Sequence, residues 1–290
     1  MGRGRIARLT RRGVVAVGGE DAERFLNDLV TADIAGAAPG RAVYAGLLTP
    51  QGKVLFDFIV FRDGGGFVFD APRAGAADLA KRLAFYRLRA EVTVKDLSDG
   101  RQVLAAWGDG APEVDGPVAP DPRLGALGWR AIVAAGSVLP AGLAEAGEAD
   151  YDAHRIGLGV PEGGIDFAFG EAFPHDADMD QLGGVDFAKG CYVGQEVVSR
   201  MEHRGTARRR VVIAHGSAPL PAAGTPVTAG GRALGTLMSS ADGMGLALVR
   251  LDRTKEAIDA GDPVTAGDAA ITVSLPEWAK FGWPAAAGDG

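Results

Sequence analysis

A single cysteine, Cys191, is present in a chain of 290 residues. That scarcity excludes an internal disulfide and fits a reducing compartment. It also excludes an iron–sulfur cluster held by this chain alone, because such clusters normally take four thiolates; Cys191 could lend one ligand to a shared cluster. Histidine is nearly as scarce. His154, His175, His203 and His215 are scattered without ligand spacing, so no resident metal is expected. No apolar run approaches the roughly 20 residues that span a bilayer, and no membrane partner is expected. Positive charge is in deficit, with a formal net charge of −7, which argues against direct nucleic-acid binding through bulk charge. P-loop, zinc-protease and dinucleotide fingerprints are all missing.

What is there is a globular composition, 47% hydrophobic and 23% charged, with 44 glycines, many of them in turn-like positions. The opening MGRGRIARLTRRG carries five arginines and no acid, the faint mark of an organellar presequence. It is short, runs into the strand-like Val14–Val17, and has no apolar signal-peptide core. The expectation is a cytoplasmic protein with a basic first strand.

Periodicity places the elements. GGEDAERFLNDLVTADI predicts a helix with Asp21 as N-cap and Phe25, Leu26, Leu29 and Val30 on one face. YAGLLTPQGKVLFDFIVFRDGGGFVFDA predicts a strand meander with turns at Thr49–Gly52 and Asp63–Gly66. A helix is expected near Ala76–Leu88, then strands in EVTVKDL, QVLAAWG and WRAIVAA. ADYDAHRIGLGVP predicts a helix stopped at Gly159 and Pro161. Residues 162–190 show little periodicity, and such long segments are usually functional or partly disordered. After Arg208, short strands between glycine and proline turns predict a small antiparallel β-barrel. The expected divisions are 1–203, 204–275 and a loose tail at 276–290.

The chemistry concentrates in KGCYVGQE, Lys189–Glu196. Cys191 has two readings, a small buried hydrophobe or a reactive thiolate. Lys189 and the helix start expected after Gly194 would both lower a thiol pKa. Gly190 and Gly194 would let backbone approach a ligand closely. Glu196 and Arg200 form an i,i+4 pair. The run Arg200, Arg204, Arg208, Arg209 and Arg210, with His203, reads either as a solvated linker or as a site for a polycarboxylate, phosphate or RNA backbone.

The octapeptide closely resembles the K-G-C-[FY]-x-G-Q-E signature of the YgfZ family, folate-binding relatives of the glycine-cleavage T protein. GGEDAERFLNDLVTAD, LLTPQGKVLFDF, FYRLRAEVTV, HRIGLGVPEGG and FPHDADMDQLGGVDFAKGCYVGQE are similar to the family's segments in order and spacing. The resemblance implies an α+β, T-protein-like fold of three subdomains around a central channel, the last a small antiparallel β-barrel. It implies a tetrahydrofolate or related reduced folate as ligand, contacted by Arg200, Arg204 and Tyr192. It implies Cys191 as a functional thiol among Lys189, Gly190, Tyr192, Gly194, Gln195 and Glu196. The implied role is to support assembly or repair of iron–sulfur proteins, tRNA-modifying enzymes included, with iron–sulfur client or assembly proteins as partners of a monomer. The alternative is a folate-dependent aminomethyl or one-carbon transferase. Two departures bear on that choice. Gly157 stands where T-protein relatives tend to carry a pterin-binding glutamate, and the transferase's catalytic aspartate matches only Asp78, loosely; Asp78 also reads as a solvated helix residue.

Overall fold

The computed structural model describes residues 4–205 and 207–284. Two compact units emerge, and each is discontinuous in sequence. The first comprises Met1–Tyr151 and Leu182–Val197, the second Asp152–Gln181 and Val198–Gly290.

The first unit holds two five-stranded sheets. One runs β3 (Val43–Leu48), β4 (Val54–Asp63), β5 (Gly66–Pro72), β2 (Arg12–Gly18), β6 (Thr93–Asp96), all antiparallel. The tight returns follow from the turn chemistry. Gly52 donates its N–H to the Thr49 carbonyl at 2.9 Å, and Asp63 pairs with Gly66 across the next hairpin. Aromatic and β-branched residues of β4 and β5 then face one core, where Phe58 stacks on Phe69 at 4.7 Å. Helix α2 (Arg73–Tyr86) covers that core with Ala76, Leu79 and Leu83. Helix α1 (Ala22–Asn27) adds Phe25 and Leu26 but is only six residues long. Asp21 stands at its N-cap without capping it. Its carboxylate accepts instead from the Glu91 N–H at 2.9 Å and from Arg24.

The other sheet runs β10 (Ala144–Ala146), β1 (Arg5–Leu9), β7 (Arg101–Trp107), β9 (Trp129–Ala134), β8 (Val118–Pro120). A buried ionic network ties the two sheets of this unit. Asp70 on β5 pairs with Arg12 on β2 and with Arg130 on β9, and Arg130 and Arg123 converge on Asp121. Burial by itself would raise the Asp121 pKa; Arg123 and Arg130 overcome it and hold the carboxyl at about 2. Buried charges persist only when paired in this way.

The second unit centres on a closed barrel of β11 (Arg209–Gly216), β14 (Met244–Arg250), β13 (Arg232–Ala241), β12 (Pro226–Ala229), β15 (Val264–Ala266) and β16 (Ala269–Ser274). Val212, Leu237, Val249 and Ala266 fill it. Helix α5 (Leu251–Ala260) interrupts the expected run of strands, burying Leu251, Thr254 and Ala257 and ending at Gly261 in the left-handed conformation. The tail is not loose as far as it is described. Phe281 and Trp283 pack against the barrel core, and the Trp278 indole donates to the Leu158 carbonyl at 2.7 Å. Residues 285–290 lie outside the described residues.

Helix α3 (Glu148–Gly157) leads into the irregular stretch, whose only regular element is a 3-10 turn at Pro174–Ala177 before helix α4 (Gln195–His203). In its first part, charged side chains hold the chain. Arg155, 1% exposed, meets Asp152, Glu162 and Asp166. No described helix is long and apolar enough to cross a membrane.

Candidate functional site

Residues 182–194, a loop, and the first turn of α4 are built onto the core of the first unit. Thr31, fully buried, is the clamp. Its hydroxyl donates to the Gly184 carbonyl and accepts from the Gly46 N–H, while its own carbonyl accepts from the Asp186 N–H. Asp186 in turn accepts the N–H groups of Ala188 and Lys189. The Lys189 ammonium donates to three main-chain carbonyls, Asn27 and Val30 at 2.8 Å and Ala32 at 2.9 Å. Asn27 ends α1 and the other two follow it, where carbonyls lack intrahelical partners. All three donors of the ammonium are thereby used.

This corrects the expected role of Lys189. It is a structural peg, and its charge is turned to carbonyls rather than offered to the thiol. Burial pulls its pKa below the usual lysine value, against Asp33, Asp186 and Asp28. Gly194 is corrected too. It has φ +81°, and a Cβ there would lie 2.5 Å from the Thr49 carbonyl oxygen and 3.1 Å from the Gly52 Cα. The close approach is to the protein's own hairpin turn, not to a ligand. Gly52 returns the contact: its φ is +79°, and a Cβ on it would meet Val197 at 3.0 Å. Gly190 faces open space.

The reading of Cys191 as core filler fails, because Cys191 is exposed. Its neighbour Tyr192 turns inward and is 7% exposed. The Tyr192 ring lies 5.6 Å from the Lys189 ammonium, and its hydroxyl has no hydrogen-bond partner among the described residues. Burial, helped by Asp186, pushes the Tyr192 hydroxyl up to about 12. Val193 packs on the core, Gln195 opens α4 half-buried, and Glu196 is exposed. The result is an exposed thiol between a pegged Lys189 and an inward-turned Tyr192.

The arginine run is not one patch. Arg200 and Arg204 are exposed. Arg209 pairs with Asp176 at 2.7 Å, and Arg210 is buried on Asp178 and Asp180. Asp78 stands exposed on α2 beside Lys81 and Arg82. At Gly157 a Cβ would lie 3.2 Å from the Met244 methyl. Sequence spacing missed a further group. His175, Asp180 and Glu202 bring one ligand atom each within 4.8 Å of one another in the second unit. Asp180 accepts two N–H groups of Arg210, and His175 Nε2 lies within hydrogen-bond distance of Glu202 at 3.1 Å, so contacts among side chains already account for the arrangement. Thr31 also escaped sequence reasoning; the only local hint to the hairpin contact was the glycine of the TPQG turn.

Known protein families match the chain on either side of this loop. The profile of the GCVT N-terminal domain matches residues 9–133, and that of the CAF17 C-terminal β-barrel domain matches residues 208–281. The human mitochondrial iron–sulfur cluster assembly factor IBA57 is 32% identical over 310 residues, covering 96% of this chain and 85% of the human protein. The chain belongs to the IBA57 family of iron–sulfur cluster assembly factors. YgfZ, which the octapeptide resembles, is related to the IBA57 family but distinct. The IBA57 homologue of Mycosarcoma maydis is 33% identical over 226 residues, and there the match spans 72% of this chain but only 56% of the fungal protein. The aminomethyltransferase T of the Bartonella henselae glycine cleavage system superposes with a TM-score of 0.73 over 94% of this chain and 86% of that one, at 20% identity. That likeness establishes the T-protein-like α+β fold. The IBA57 relatives are named mitochondrial proteins, which overturns the expected cytoplasmic location.

Proposed function

We propose that the chain supports assembly or repair of iron–sulfur proteins, and that Cys191 is the group it offers to a partner. The observation that carries this is a lone exposed thiol on a braced loop. One thiolate does not hold a cluster, so the partner supplies the remaining ligands and the chain acts as a monomer meeting it. The clients in this reading are iron–sulfur enzymes, tRNA-modifying ones among them as for YgfZ proteins. The names of the IBA57 relatives support the iron–sulfur role. In a strain lacking the gene, Cys191→Ser and Cys191→Ala are both expected to accumulate as folded protein and to leave client enzymes inactive. Full restoration of client activity by the alanine variant refutes the reading.

A reduced folate is the ligand proposed beside this role. Exposed Arg200 and Arg204 suit its polycarboxylate tail. The residues present do not reproduce the pterin carboxylate, since Gly157 meets Met244 and Tyr192 is turned inward. Binding through the tail is therefore expected to be weak and salt-sensitive; calorimetry with tetrahydrofolate that shows no heat at low salt ends it. The transferase alternative gains nothing from an exposed Asp78, and formaldehyde-equivalent transfer to tetrahydrofolate is expected to be negligible. Transfer at a rate that depends on Asp78 would reinstate it.

A further inference from the structure

The C-terminal end of α2 departs from the pattern of a self-sufficient surface. Phe85 is 74% exposed and Leu88 90% exposed. Scattered exposed apolar residues are ordinary, but these two come with a backbone irregularity. The helix ends at Tyr86, Arg87 is its C-cap with an N–H bonded to the Ala84 carbonyl, and Leu88 follows in the left-handed region at φ 45°. Glycine normally fills that position because a side chain there is strained. Leu88 therefore carries a conformational penalty and also presents an isobutyl group to water. A glycine would make the same turn without either disadvantage, so the leucine serves neither helix termination nor solubility. Phe85 borders a cleft of about 420 Å³ that it shares with Leu55, Phe56, Asp78, Lys81 and Arg82. Lys81 and Arg82 line the cleft, and Arg87 and Arg89 flank Leu88 in the chain and are exposed, Arg87 donating to the Val92 carbonyl at 3.3 Å, on a chain whose formal charge is −7.

We propose that this end of α2 is a docking surface for an acidic protein segment that places a bulky apolar side chain in the cleft beside Phe85. Charge complementarity names the occupant: carboxylates around an apolar anchor match guanidinium and ammonium groups around an apolar cleft. A symmetric contact with a second copy would set Arg82 and Arg87 near their own equivalents. An anionic lipid surface fits less well, because the site is concave, contains Asp78, and belongs to an acidic chain.

The test uses random dodecapeptides displayed on phage, selected on the immobilised full chain and counter-selected on Phe85→Ser/Leu88→Gly. Enriched peptides are expected to carry several Asp or Glu about one Leu, Ile, Phe or Trp. Synthesised, they should bind Lys81→Glu/Arg82→Glu at least about tenfold more weakly than the unmodified chain. Leu88→Gly alone is expected to weaken binding while raising the melting temperature by about 2 °C. Enrichment without acidic bias, or no enrichment, overturns the proposal. So does a fall in melting temperature for Leu88→Gly, which would mean the leucine serves the chain's own packing. Binding to phosphatidylglycerol vesicles that the same variants abolish would assign the surface to membranes, and a concentration-dependent dimer abolished by Phe85→Ser would assign it to self-association; either result refutes the acidic partner.

Discussion

Two irregular segments follow one another in the chain, and opposite chemistry holds them. In 158–181, charged side chains do the holding: Arg155, near the end of α3, gathers Glu162 and Asp166 along with Asp152 of its own helix, and Arg210 gathers Asp178 and Asp180. In 182–191 the main chain does it, through Thr31, Asp186 and the carbonyls bound by Lys189. An ion-pair lattice depends on every carboxylate staying ionised and paired. The brace on 182–191 instead sets one ammonium and one carboxylate, Lys189 and Asp186, against main-chain groups rather than against each other. The exposed cysteine rides on the second kind of support, in which each anchoring side chain meets backbone rather than an opposite charge.

The largest expected effect tests the lattice. Arg155→Leu leaves three acids without their cation in a buried site and is expected to cost about 3–5 kcal/mol, read as a lowered denaturation midpoint at unchanged slope. Lys189→Met removes three charge-assisted hydrogen bonds from carbonyls and is expected to cost about 2–3 kcal/mol. A larger loss than that of Arg155→Leu would break the contrast. Gly194→Ala forces a side chain at φ +81° against the Thr49 carbonyl, for about 1–3 kcal/mol. It should also change the rate at which Cys191 reacts with an aromatic disulfide reagent, because hairpin and loop must part. An acid titration then sharpens the difference within the first unit. The folded-state pKa of Asp121 is about 2 against an ordinary 3.8, a depression, so its stabilisation is present above about pH 4 and lost as pH falls towards 2. The melting-temperature gap between the unmodified chain and Asp121→Asn should close over that window; a constant gap would show that the ion pair is not what separates them. The smallest effect belongs to Cys191→Ser, expected within about 0.5 kcal/mol of the unmodified chain. Marked destabilisation would mean that the thiol has a packing role.

What could be read from the sequence was whatever is written locally. The hairpin at Thr49–Gly52, the buried stripe Leu79–Leu83 of α2 and the glycine-punctuated barrel strands each carry their own signal within a few residues. Helix α5 carried one too, in the spacing of Leu251, Thr254 and Ala257 and the stop at Gly261, but the surrounding strand pattern obscured it. Lys189 could not be read correctly, because its three partners lie 157 to 162 residues away. The same holds for Arg209 and Arg210, which look like a basic patch until their aspartates are brought to them. Asp21 shows a subtler limit: the right residue stands at the N-cap position, yet its carboxylate has a better-placed donor in Glu91. The octapeptide points to the family neighbourhood, whereas the five arginines of the opening carry only a faint organellar mark that the strand pattern outweighs.

The interleaving of the two units sets an order of events for a chain emerging from a ribosome. The first unit lacks its last piece, Leu182–Val197, until Asp152–Gln181 has already been made. That intervening piece in turn waits for Arg210, which is synthesised later still. The cysteine loop is therefore among the last parts of its unit to close, over sequence separations that slow folding, and during that interval the sole thiol hangs on a nascent chain whose acidic neighbours are still uncompensated. Synthesis rate thus bears on the yield of this loop more than on the two sheets, whose strands are all made by Ala146.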